Sequence, residues 1–245
     1  MKTNKSPLVK TLMQRHYLIN FCFRLSIFLL ILLIYLIRKD ILVDMMTRKF
    51  TFGITPLHVL WLGFMIMMIG HIRPKEIISM AWGKSQEKNF HEVPNYSALN
   101  LLKFVQDQNY KAWLVLLIWL CFNAIFGFLY VMELIDSADL LMLTVFYFLS
   151  DYICILFFCP FQTYIMKNRC CVNCRIFDWG HFMMFTPMLF IRNFFSWSLF
   201  FTSLIVLIRW ELIYAKYPER FWFGSNKTIQ CANCKDKTCR YKRLN

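Results

Sequence analysis

Apolar runs as long as a bilayer is thick decide what this chain can become. A bilayer core of roughly 30 Å takes about 20 helical residues, because backbone amides there must bond within the segment. Residues 17–37 form the first such run, interrupted only by Arg24. Residues 54–72 form the second, opened by Thr55-Pro56 and closed by Gly70-His71. The third, 112–132, and the fourth, 140–166, are joined by the short acidic link ELIDSAD. With 58% of its 245 residues hydrophobic and only 17% charged, the composition is displaced from that of soluble domains on both axes. The expected fold is all-α, a polytopic integral membrane protein with four clear transmembrane helices plus a broken, hairpin or re-entrant fifth block.

Lys2, Lys5, Lys10 and Arg15 precede the first run as in a signal peptide. The run is too long for one and no small-residue cleavage site follows, so it reads as a retained span. Between spans two and three, residues 73–111 are polar and broken by Pro74 and Pro94. Within them 96–110 is amphipathic, and Leu99, Leu102, Phe104 and Val105 suit a helix on the membrane surface or one packed on the other spans.

The fifth block, 181–208, has 28 residues, with Pro187 in its first half and Arg192-Asn193 in its middle. As one straight helix it would be roughly 42 Å long, too long for the bilayer without strong tilt. Charge arbitrates, since Lys and Arg collect on the cytoplasmic side. If the block crosses once, each side collects 13 of them. If it enters and returns, residues 1–16, 73–111, 167–180 and 209–245 share one side with 22, against 4 in residues 38–53. The hairpin restores the asymmetry and makes both termini cytoplasmic. The net charge of +14 is then explained by flanks of apolar spans, and nucleic acid is not an expected partner. The lipid bilayer is.

Ten cysteines fall into two populations. Cys22, Cys121, Cys154 and Cys159 lie in the spans, where a thiol behaves as a small hydrophobe. Cys170, Cys171 and Cys174 follow span four in KNRCCVNCR, and Cys231, Cys234 and Cys239 occupy CANCKDKTC in the basic tail, 209–245. Two CxxC pairs are a thiolate-site pattern, because two intervening residues let both sulfurs face one ion. Lys167, Arg169, Arg175, Lys235, Lys237 and Arg240 flank them, and positive charge lowers thiol pKa. Cys171, Cys174, Cys231 and Cys234 suffice for zinc, whereas all six, with the CxxCxxxxC run, suit an iron–sulfur cluster equally. A shared site needs both clusters on one face, which the returning block supplies.

Arg24, Asp151 and Arg192 stand inside apolar runs, where an unpaired charge costs on the order of 3 kcal/mol or more. Asp151 is expected to pair with Arg192, or with Arg24, as a structural ion pair or as a contact for a quinone headgroup. His58 and His71 bracket span two, with His181 as the only possible partner for a bis-histidine haem. There is no Walker loop, GxGxxG, HExxH or GxSxG.

Three functions remain open on these residues. One is a membrane electron-transfer component, with an iron–sulfur site at the cytoplasmic face passing electrons to a membrane quinone or a partner redox subunit. A second is a non-enzymatic scaffold or accessory subunit with structural zinc. The third is a thiol–disulfide oxidoreductase.

Overall fold

The computed structural model describes residues 12–47, 54–72, 79–168, 170–237 and 239. Among them the chain is helical, with a single isolated bridge, Glu92 to Asn226, in place of any sheet. The helices are α1 (Leu12–Ile37), α2 (Lys39–Thr47), α3 (Pro56–Ile72), α4 (Met80–Gly83), α5 (Ala98–Val131), α6 (Ser137–Leu156), α7 (Gly180–Phe185) and α8 (Phe194–Lys216). Four of them, α1, α5, α6 and α8, are long and apolar enough to cross a membrane, and α3 is a shorter apolar helix.

Two expected boundaries move. The amphipathic stretch 96–110 is no separate surface helix: α5 runs without a break from Ala98 to Val131, 34 residues capped by the Ser97 hydroxyl. Nothing between Tyr110 and Ala112 stops a helix, so surface and membrane parts fuse; residues 73–78 lie outside the described residues. Span four does not reach 166 as one helix. Phe157 and Phe158 close α6, Cys159-Pro160 interrupts it, and a π turn follows over Phe161–Ile165. Pro160 lacks the amide that would continue the ladder.

α1 and α6 pack antiparallel, matching Asn20 to Tyr152, Arg24 to Asp151 and Tyr35 to Asp139. A capping box of Asp136 and Asp139 starts α6. Lys39 lies 2.9 Å from Asp136 and 2.8 Å from Asp139. The acidic link thus neutralises one of the four cations of 38–53, the side that the charge rule wants free of them.

The fifth block enters and returns. Its first arm, α7 and a 3₁₀ turn over Thr186–Phe190, runs against α3, with His181 Nε2 2.9 Å from His71 Nδ1 and the Phe185 and Phe64 rings 5.2 Å apart. At Ile191–Asn193 the chain turns, and Asn193 both caps α8 and donates to the Met46 carbonyl at 3.2 Å. α8 then runs alongside α3 in the same direction: Trp61 donates to Ser198 at 2.8 Å, and Arg209 donates to the His71 carbonyl at 2.8 Å. Positions 181 and 209 therefore stand at the same level, beside His71. The α1 start belongs to that end as well, since Gln14 Nε2 donates to the Lys237 carbonyl at 2.8 Å. The block outlasts its predicted limit, because α8 continues to Lys216.

Arg192 sits at the tip of this turn, exposed. In sealed vesicles of the Arg192→Lys variant, a membrane-impermeant amine reagent should reach position 192 only from the face opposite the one on which it reaches Lys227 and Lys235. Labelling of all three from one face would contradict the hairpin.

Candidate functional site

The cysteine-rich end is assembled around one buried lysine. Lys84, in the polar segment between spans two and three, is only 1% exposed. Its ammonium donates to the carbonyls of Val172 at 2.8 Å and Cys174 at 2.9 Å, with the Trp210 and Phe221 rings 5.5 and 5.4 Å away. Burial pushes its pKa down to about 8. The first cysteine loop is held from below by Arg175, whose guanidinium grips Glu211 with both nitrogens and stacks 3.5 Å over Tyr214. Trp179 adds a hydrogen bond to the same carboxylate at 2.8 Å. Arg175 is consumed by this clamp.

The two cysteine clusters meet. Cys170, from the first, and Cys234, from the second, pack on one small apolar patch of Met80, Val172 and Ile229. Asp236 anchors the tail by accepting from the Ser79 hydroxyl at 2.9 Å. Cys231 and Cys239 are exposed at this end. Cys171 and Cys174 turn the other way. The Cys171 thiol donates to Gln162 Oε1 at 3.4 Å, and Cys174 is buried within electrostatic reach of Cys171 and Cys159. Cys170 stands within electrostatic reach of both Cys171 and Cys234, so it links the loop to the tail. Among the described residues no three His, Cys, Asp or Glu side chains gather about one point as metal ligands would.

Two of the thiols, Cys170 and Cys174, are not activated as their basic flanks imply. Burial pushes Cys170 up to about 11 and Cys174 up to about 12. Desolvation of a thiolate outweighs the nearby cations, one of which, Arg175, already has a carboxylate partner. Arg169 and Arg240 lie outside the described residues.

Behind Cys171 and Cys174 lies a cavity of about 620 Å³, walled by α5, α6, the broken 157–162 segment, the cysteine loop and α7. Its lining is almost wholly apolar, with Trp119, Phe146, Tyr147 and Met183 among the apolar residues and Asp151 and Gln162 among the few polar ones. Cys154 and Cys159 join the wall as well. It exists because α6 stops at Leu156 and the following residues swing out around Pro160.

Asp151 has Arg24 as its partner, not Arg192. Arg24 Nη1 lies 2.8 Å from Asp151 Oδ2 and 2.7 Å from the Phe148 carbonyl, and the guanidinium lies 4.2 and 4.1 Å from the Phe148 and Tyr152 ring centroids. Arg192 is withheld from it because the Asn193 cap puts it at the opposite end of the bundle. Gly180 makes room for the carboxylate, since a Cβ there would stand 2.8 Å from Asp151 Oδ1. His71 and His181 come together as sequence spacing allows, but in direct contact, closer than two axial ligands of one iron can stand. His58 is occupied locally, accepting from the Thr55 amide at 3.0 Å.

No protein-family model, curated protein or solved structure matches this chain. The reading of the site rests on its own geometry.

Lys84, Gln162 and the cavity carry no mark in the sequence; only Cys159-Pro160 hints at the break that creates them. Replacing Lys84 with Met leaves two buried carbonyls without a donor, a loss of about 1–3 kcal/mol. Thermal unfolding in detergent should shift down accordingly, and Cys174 should become open to alkylation at neutral pH. An unchanged midpoint with Cys174 still protected would contradict the anchoring role.

Proposed function

We propose that this protein is a membrane redox component that works through its first cysteine loop at the cytoplasmic face, as a thiol–disulfide oxidoreductase. One observation carries this reading. The Cys171–Cys174 pair borders the cavity together with Cys159. The reaction is oxidation of two thiols to one disulfide, with two protons and two electrons handed to a membrane carrier or a partner redox subunit. Cys171 and Cys174 both line the cavity, where the oxidant would meet them. The cytoplasmic assignment rests on the 22-to-4 distribution of Lys and Arg.

A second reading keeps the metal. Cys170 and Cys234 share a patch, which favours a zinc or iron–sulfur site drawn from Cys170, Cys171, Cys174, Cys231, Cys234 and Cys239. Zinc there would tie the tail to the loop as structural support for a scaffold or accessory subunit, its binding energy adding to folding. Iron–sulfur would instead serve electron transfer.

Protein purified without oxygen separates the two. After mild oxidation, peptide mapping should find Cys171 linked to Cys174, with two thiols lost per chain and no stoichiometric metal. One zinc per chain, or iron with acid-labile sulfide, would overturn the thiol reading in favour of the metal.

A further inference from the structure

We infer that the cavity between α5, α6 and the cysteine loop binds a quinone with an apolar tail. Its role as the oxidant of Cys171 and Cys174 rests on the thiol reading above; its binding does not. The volume, about 620 Å³, falls in the range of small-molecule sites, which are mostly apolar with a few convergent polar groups. This cavity has that character. Aromatic rings form one wall: Trp119 stands 4.6 Å from Tyr147 and 6.0 Å from Phe161, centroid to centroid. A flat, electron-poor ring stacks well on such a surface.

The remaining walls give the occupant its two ends. Ser150 lines the cavity with a hydroxyl able to donate to a carbonyl, beside Cys171 and Cys174; Asp151, paired with Arg24, and Gln162, bonded to Cys171, complete the polar rim. On the lipid side Phe122, Phe146 and Phe158 are each close to half exposed, at 45%, 48% and 47%. A tail leaving between them enters hydrocarbon directly. A plain acyl lipid would match the apolar part alone, whereas a quinone also sets a two-electron acceptor beside Cys171 and Cys174. A water-soluble oxidant would have to cross an apolar wall. A quinone meets both demands, and the electron count closes with it. Two S–H bonds break and one S–S bond forms between Cys171 and Cys174. Two electrons reduce the ring, and two protons end as the two O–H groups of the quinol.

Trp119 provides the readout, because quinones quench indole fluorescence. Decylubiquinone titrated into the purified full-length protein in lipid nanodiscs should give saturable quenching. The saturable part should be lost in Trp119→Phe. In Ser150→Phe, which fills the cavity, half-saturation should rise at least roughly tenfold, about 1.4 kcal/mol. The double variant Cys171→Ser/Cys174→Ser should still bind. As a measurement independent of any variant's folding, an azidoquinone should label the unaltered protein in peptides spanning 118–122 or 150–162. Quenching that rises linearly with quinone in the membrane and is the same in all variants, with photolabel spread over the lipid-facing helices, overturns the site. Saturable binding with labelled 118–122 or 150–162, but no quinol and no disulfide formed, upholds the site and removes the thiol reading instead.

Discussion

The turn at Ile191–Asn193 is the constraint on which the cysteine-rich end depends. There Asn193 fixes the reversal, accepting from the Ser196 amide at 2.7 Å and donating to the Met46 carbonyl at 3.2 Å. With the chain reversed, α7 begins beside His71 and α8 passes it at Arg209. Had 181–208 crossed once, the loop at 170–174 and the tail at 231–239 would stand a bilayer apart. The patch of Met80, Val172 and Ile229 is a consequence of the turn.

What gathers at that end is held by buried charge. Lys84 ties the cysteine loop through two carbonyls, and Arg175 fixes its far side through Glu211 and Tyr214. Breaking one partner of such an arrangement leaves an uncompensated buried group, which costs more than the pair contributes. Within the bundle Arg24 and Asp151 follow the same rule, with two aromatic rings over the guanidinium. Burial also sets the chemistry. It raises the thiol pKa of Cys170 and of Cys174.

Apolar length made three of the four expected spans legible; the second, α3, is shorter, and α8, inside the block expected to be broken, is itself long enough to cross. The return of 181–208 was legible through charge, as Lys and Arg on either side of a block report which face each end occupies. Three things were not. The fusion of 96–110 into α5 depends on the absence of a stop signal, which amphipathic periodicity does not report. The choice of Arg24 over Arg192 depends on the depth of the hairpin tip, which only the Asn193 cap determines. The lowered thiol pKa expected from basic flanks failed because sequence neighbours give the sign of local charge and nothing of burial. Lys84 shows the converse, a lysine in a polar stretch that ends wholly inside.

The cysteine-rich end is built by the docking of the tail against the loop after α6, within one chain. A short bifunctional thiol reagent applied to native membranes at mildly alkaline pH, followed by peptide mapping, tests it most directly. Cys170 joined to Cys234 within a single chain is the predicted product. Products that join Cys234 only to other chains, or never to 170–174, would contradict it.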